Sequence, residues 1–447
     1  MRHAPQLHNR RSLNDYLEII HRHGLPGNVK NEICHQMHQA VTPTVKGVLE
    51  HSLEEELTQY LGLARYEHLP WGRRPELPRS GTYGRELLTQ YGRIADLRVP
   101  KLRRGNRELK WQTLERYERC WGPLLDHHLL GYCWGLSLRD LQEVMDDTLG
   151  EVVSLSTCNR LGWEVEAQVK AWKSATIAVP PAVVMVDGRW VKIAYPTGAQ
   201  RQDAHGRLRS VKRKEKRVVL SALGLWDDGH WESVHWQIAP GENQACWHHF
   251  LGDLYRKGIT EETTQLVVSD GSKGLESALD SPYDGVPHQR CIFHKIKNLT
   301  DHLVFEELDL TGAQGDEKAE RQARAARRKA ILADASEVYE RHGEAEVRQR
   351  AALFQAPGQK REPEASAAFF VDFDKTLSYL RVDLPDTLLP LVRTTNLLER
   401  FHREARRKQH DIGMFQSEHG CEVLWYLMAM RETAKQQALV KCHRCGL

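Results

Sequence analysis

The sequence predicts a mixed α/β protein with helical segments before it and within it, and three observations carry that expectation. The periodicity changes after Pro180, where short apolar and alternating runs replace helical spacing. From there the elements alternate: three strands, a helix, a strand, a helix, a strand and a helix. Residues 312–366 then break the pattern, being rich in Ala, Arg and Glu and free of strand-like runs.

Taken in order, residues 28–62 carry Val45, Val48, Leu49, Leu53, Leu57 and Leu61 at three- and four-residue spacing, which predicts a helix. Residues 1–70 therefore read as an N-terminal helical segment. Residues 71–130 are basic and punctuated by Pro and Gly, with Ile94, Leu97 and Val99 in loose alternation. This region reads as a linker or small β-element lying on phosphates. Residues 131–176 are helical again. Ser137 and Asp140 form a capping box for a helix through Leu141 and Met145. Ser154 can cap a second helix from about Thr157 to Lys173, and the two suit either a helical hairpin or a helix-turn-helix presenting Thr157, Asn159 and Arg160.

The α/β part spans 177–310. Pro181–Asp187, Trp190–Pro196 and Arg217–Asp227 read as strands, with a basic loop over 201–217. A helix over Gln244–Lys257, a strand over Gln265–Ser269, a helix over Lys273–Leu279 and a strand over Gln289–Phe293 follow. The last passes into a helix from His294 to about Glu307. Residues 311–384 read as inserted helices with solvated charged faces, 385–430 as the return to the α/β part, and 431–447 as a tail.

At 447 residues the chain should divide into two or three cores. No apolar run reaches the ~20 residues that span a bilayer, the N-terminus lacks a signal-peptide core, and nine scattered cysteines suit a reducing compartment. A cytoplasmic location is expected. The net charge of +3 conceals two basic stretches, 71–119 with 13 Lys/Arg against 6 Asp/Glu and 201–217 with 8 against 2. Such stretches are the footprint of a polyanion, most simply nucleic acid.

Two apolar runs stop on an acid followed by glycine, at Asp187 and Asp270, and Glu399 follows Thr394-Thr-Asn-Leu-Leu downstream. Taken singly, each acid suits a turn or a solvated surface. Carboxylates held on a rigid frame can instead bind two divalent cations roughly 4 Å apart, the arrangement that serves phosphoryl transfer. Cys291-x-x-His294 and Cys442-x-x-Cys445 each supply too few ligands for a closed zinc site. Trp247 suits either base stacking or, beside Phe250, Leu251 and Leu254, a core anchor.

Several motifs in order resemble those of the bacterial Mutator-type transposases. They are Asp187-Gly, Glu232-Ser-Val-His-Trp-Gln with Trp247-His-His-Phe-Leu-Gly-Asp-Leu, Val268-Ser-Asp-Gly-Ser-Lys-Gly-Leu, Gln289-Arg-Cys-Ile-Phe-His294 and Thr394-Thr-Asn-Leu-Leu-Glu399. Glu54-Glu-Glu-Leu, Arg98-Val-Pro-Lys-Leu-Arg-Arg104 and Gly135-Leu-Ser-Leu-Arg139 extend the resemblance, which spans about residues 45–430. It implies an RNase H-like catalytic domain interrupted by an all-α insertion and preceded by a helical DNA-binding region. It further implies a DDE triad of Asp187, Asp270 and Glu399 holding two Mg²⁺ ions, with Mn²⁺ as a substitute, and Cys291 and His294 near the active site. The implied partners are double-stranded DNA, as terminal inverted repeats and as target, and further copies of the chain. Arg98, Lys101, Arg103, Arg104, Arg160, Lys212, Arg213, Arg403, Arg406 and Arg407 are the candidate DNA contacts. The chain departs from the pattern at His402, where asparagine is expected. The competing expectations are a metal-dependent nuclease of the same fold and a catalytically inactive DNA-binding regulator.

Overall fold

The computed structural model describes residues 27–67, 78–103, 109–114, 123–149, 154–163, 165–202, 206, 208–305, 317–340 and 343–445. The chain divides into two compact units, residues 1–166 and 167–447.

In the first unit, helix α1 (Gly27–Leu61) precedes strands β1 (Arg79–Thr89) and β2 (Gly92–Leu102), and helices α2 (Pro123–Trp134), α3 (Leu138–Leu149) and α4 (Leu155–Trp163) follow. The segment expected to be a linker or small β-element is an antiparallel hairpin that closes between Thr89 and Gly92. Gly92 is at φ +107°, which few side chains tolerate, and the Thr89 hydroxyl donates to the Gly92 carbonyl at 2.8 Å. Leu49 and Leu53 of α1 pack on Leu87, Ile94, Leu97 and Val99, so helical spacing on one side meets strand alternation on the other. A second core joins Leu124, Met145, Leu149, Cys158 and Leu161. The capping box forms: Ser137 N donates to Asp140 Oδ2 at 2.9 Å and Asp140 N to Ser137 Oγ at 3.3 Å. The single helix expected from Thr157 to Lys173 is two, α4 and α5 (Glu166–Ser174). Their apolar residues serve separate units, Cys158 and Leu161 the first and Val169 and Trp172 the second.

The second unit is built on a five-stranded mixed sheet in the order β5-β4-β3-β6-β7, comprising β3 (Val183–Gln202), β4 (Leu208–Leu225), β5 (Trp231–Ala239), β6 (Leu266–Ser269) and β7 (His288–Arg290). β3, β4 and β5 are antiparallel neighbours, and β6 and β7 run parallel to β3. Helices α6 (Gln244–Arg256) and α7 (Lys273–Leu279) cover one face. There Trp247, Phe250, Leu251 and Leu254 pack on Val184, Val186, Val218 and Leu220, so Trp247 is a core anchor, 1% exposed. On the other face lies α14 (Glu418–Cys445), whose Trp425 indole donates to Ser221 Oγ at 3.4 Å.

Four sequence expectations need correction here. Pro181–Asp187 and Trp190–Pro196 are one strand, and Asp187 lies inside it, paired with Ser221. Gly188 is not a turn: a Cβ there would come within 2.7 Å of the Glu242 carboxylate, so glycine admits a close approach. The basic loop over 201–217 is largely strand, because β3 and β4 continue past the sheet as a paired two-stranded arm. Finally, β5 is a strand where none was expected, and the last strand ends at Arg290 with helix α8 (Ile292–Asn298) starting at once.

Between β7 and the return to the sheet come α9 (Glu317–Glu337), α10 (Glu344–Arg361), α11 (Pro363–Phe370) and a 3-10 segment, Phe373–Leu380. The buried Gln289 side chain fixes this segment to the β7 edge. Its amide donates to Thr376 O at 2.9 Å and its oxygen accepts from Tyr379 N at 3.0 Å, occupying a sheet edge that would otherwise be open. The short α12 (Leu389–Val392) leads into α13 (Asn396–Ile412). Among the described residues, no helix is long and apolar enough to cross a membrane.

Candidate active site

Asp187, Asp270 and Glu242 lie within one another's electrostatic reach at the middle of the sheet, and Glu399 stands on α13 beside His294. Asp187 is held rigidly because both neighbouring strands fix β3. Its Oδ1 accepts from Gly188 N at 2.8 Å, and its Oδ2 lies 3.2 Å from His402 Nδ1. Asp270 follows directly on β6, and its Oδ1 accepts from Ser272 N at 3.0 Å. Gly271 makes this turn possible at φ +84°, with Arg290 packed where a Cβ would stand. Burial raises the Asp270 carboxyl above its ordinary range, and the Asp187 charge adds to this.

Glu242 was not singled out by sequence. It stands between β5 and the Asn243 cap of α6, and its carboxyl is raised by burial first and then by Asp270 and Asp187, while the Trp190 side chain hydrogen-bonds to it. The signal was available, since an acid follows an apolar alternating run here as at Asp270.

Glu399 occupies the first turn of α13. Its Oε1 accepts from Thr395 Oγ1 at 3.2 Å and lies 3.8 Å from His294 Nε2. Cys291, His294 and Glu399 each place a ligand atom within 4.8 Å of the others, the closest such convergence among the described residues. Asp187, Asp270 and Glu399 do not converge to that distance. His294 connects Asp270 and Glu399 electrostatically: its pKa is raised to about 8 by its bond with Cys291, and then by the charges of Cys291, Glu399 and Asp270. Burial pushes the Cys291 thiol up, but its bonds with His294 and Thr395 outweigh this and hold it below its ordinary value.

His402, the departure from the expected asparagine, is buried, with a side chain 5% exposed. With the hydrogen on Nδ1 it donates to Asp187. Burial lowers the pKa of the nearby Arg189 guanidinium, the Arg406 charge adds to this, and Asp187 opposes it. Arg403, Arg406 and Arg407 are exposed on α13, with Arg407 paired to Glu404 at 3.0 Å.

The other basic candidates are dispersed. Arg98 and Arg103 are exposed and Lys101 half-buried at the end of β2 in the first unit, and Arg104 lies outside the described residues. Arg160 falls on α4, its side chain likewise outside what is described. Lys212 and Arg213 are exposed on β4, where Lys212 Nζ donates to Gln416 O at 2.9 Å and Arg213 pairs with Glu215.

The fold and this centre define an α/β protein with a carboxylate-lined site built on the middle of a mixed sheet. The model of the family "Transposase, Mutator family" matches residues 27–311. The chain belongs to the Mutator family of transposases. It is 26% identical over 378 residues to the transposase for insertion sequence element ISRM5 of Rhizobium meliloti, covering 84% of this chain and 83% of that one. It is 23% identical over 391 residues to the transposase for IS1201 of Lactobacillus helveticus, covering 85% and 90%. With the transposase for IS256 in transposon Tn4001 of Staphylococcus aureus it shares 27% over 257 residues, 56% of this chain and 59% of that one. Among solved structures, the Drosophila P element transposase strand transfer complex aligns with 68% of this chain and 91% of its own at 11% identity. The TM-score is 0.38, too slight a likeness to define a shared fold.

Proposed function

We propose that this transposase binds the terminal inverted repeats of an insertion sequence and catalyses Mg²⁺-dependent strand cleavage and strand transfer. The observation that carries this reading is the gathering of Asp187, Asp270 and Glu242, in which Asp270 and Glu242 are pushed up by burial and by like charge, with Glu399 linked to Asp270 through His294. Hard oxygen donors whose mutual repulsion a divalent cation would relieve suit Mg²⁺, with Mn²⁺ as a substitute. Asp187, Asp270 and Glu399 would hold two such ions as a DDE triad, in an RNase H-like domain interrupted by the all-α segment α9–α11. When bound, the ions supply charge stabilisation for in-line phosphoryl transfer.

The chain's own residues position the reaction. β3 and β6 fix the two aspartates, His402 orients Asp187, and Thr395 and His294 orient Glu399. Water attacks the phosphodiester at the element end, and the freed 3′-hydroxyl then attacks target DNA, displacing a 3′-oxygen and joining the two. Arg403 and Arg406, on the exposed side of the helix that carries Glu399, are placed to meet phosphates. Arg98, Lys101, Arg103 and Arg160 would contact the repeats, and a multimer on DNA would hold the two ends together.

Purified protein incubated with Mg²⁺, a labelled end fragment and target DNA separates the readings. Joined products support the transposase reading. Cleavage without joining indicates a nuclease, and binding without chemistry indicates a regulator.

A further inference from the structure

The β3–β4 arm has two unlike faces. Alternation and register place Trp190 and Lys192 of β3 on one face, with Lys216 opposite Lys192, Lys214 opposite Ala194 and Lys212 opposite Pro196. On this face Lys192, Lys212, Lys214 and Lys216 are exposed, and neither strand contributes an acid to it between residues 190 and 218. Three of the lysines have no anionic partner among the described residues, and Lys212 meets only the Gln416 carbonyl.

The opposite face is neutralised. There Glu215 pairs with Arg213 and Arg217, Arg217 Nε donates to Tyr195 Oη at 3.1 Å, and Tyr195 hydrogen-bonds Glu418. The segment around Phe415 bonds along the β3 edge, with Phe415 N donating to Lys192 O at 3.0 Å.

At the inner end of the lysine face stands Trp190, two residues along β3 from Gly188, against which the Glu242 carboxylate packs. Trp190 is 45% exposed and its side chain hydrogen-bonds Glu242, the acid whose carboxyl is raised by the charges of Asp270 and Asp187 after burial. A large aromatic ring left in solvent, tethered to Glu242 and continued by a row of unpaired lysines, matches the composition of a single-strand site. Aromatic faces stack on bases while cations follow the backbone.

We propose that this face of the arm is a track for an unpaired DNA strand leaving the carboxylate site, with Trp190 stacked on a base next to the reacting phosphate and Lys192, Lys214 and Lys216 on the phosphates beyond. The proposal rests on the transposase reading and names the strand state that the site receives.

The test uses the full-length protein and two terminal-repeat fragments, one blunt and one with an unpaired tail carrying 2-aminopurine next to the end. With the wild type, the tailed fragment binds more tightly and its 2-aminopurine is quenched. Trp190→Ala abolishes the quenching and weakens tailed-end binding by roughly ten- to a hundredfold, while Trp190→Phe retains most of both. The triple variant Lys192→Gln, Lys214→Gln, Lys216→Gln lowers the salt slope for the tailed fragment by about 2, at about 0.7 per single-strand phosphate. Arg321→Gln, exposed on α9 and paired with Glu317, changes neither readout. Thermal melting of each variant should match wild type, since every substituted side chain is solvent-exposed. Equal losses on blunt and tailed fragments overturn the single-strand assignment, as does unaltered quenching in Trp190→Ala. These readouts need no chemistry, so a wild type that joins DNA with an unaffected tail response removes the track alone. A protein that shows the tail response without joining removes the transposase reading alone.

Discussion

His402 offers the sharpest perturbation of the site that leaves its acids in place. Its Nδ1 lies 3.2 Å from Asp187 Oδ2 and is buried with it, so the bond is charge-assisted and shielded from water. Hydrogen bonds to charged groups contribute about 1.5–3 kcal/mol. Removing a partner that orients a metal-binding carboxylate typically lowers affinity or activity about 10- to 100-fold. His402→Ala should therefore reduce single-turnover joining by about that factor and raise the Mg²⁺ concentration for half-maximal activity. His402→Asn places an amide nitrogen at nearly the position of Nδ1 and should restore both readouts to within about threefold of wild type. The assay is joining of a labelled end fragment across a Mg²⁺ titration, with DNA binding measured alongside. Wild-type joining and an unchanged metal requirement in His402→Ala would refute the argument, as would an asparagine variant no better than alanine.

Three further expectations concern groups away from that contact. Trp247→Ala empties the core between α6 and the sheet and should destabilise the second unit by about 3–5 kcal/mol in urea unfolding, whereas loss of DNA affinity without loss of stability would mean that the ring contacts bases. His128 in the first unit is held neutral by burial, its pKa lowered from 6.5 to about 4 despite a backbone bond that opposes the shift. The folded pKa lies below the unfolded one, so stability is full above pH 6.5 and falls as the pH drops toward 4. At about 1.36 kcal/mol per unit the loss approaches about 3 kcal/mol. His128→Leu should flatten that part of the curve, and an unchanged curve would count against it. Glu242→Gln removes one like charge from beside Asp187 and Asp270, so it should raise the melting temperature without Mg²⁺ and reduce the additional rise when Mg²⁺ is supplied. An equal Mg²⁺ effect in both proteins would place Glu242 outside the cation's field.

The parts of this architecture governed by short-range rules were readable in the residues. The Ser137–Asp140 box, the Asn243-to-Arg256 helix with its Trp247 face, and Asp270 at the end of β6 depend on neighbours three or four positions away. The misreadings arose where a distant residue decides local structure. Asp187-Gly188 resembles a turn because aspartate and glycine usually leave strands, yet Glu242, distant in sequence, needs the space at Gly188. Residues 208–217 resemble a loop because charge predominates, but the pairing partner across β3 makes them strand. Asp187, Asp270 and Glu399 stand on or beside the elements their motifs suggest, β3, the end of β6 and the first turn of α13. Glu242 and the contact of His402 with Asp187 were not legible, since each depends on which face of β3 meets which helix.

The central claim is that Asp187, Asp270 and Glu399 act together in DNA joining, and single-turnover strand transfer by Asp187→Asn, Asp270→Asn and Glu399→Gln tests it most directly. Each protein should bind the labelled end with near wild-type affinity in Mg²⁺ while forming no joined product. Joining at the wild-type rate by any one of them would contradict the claim.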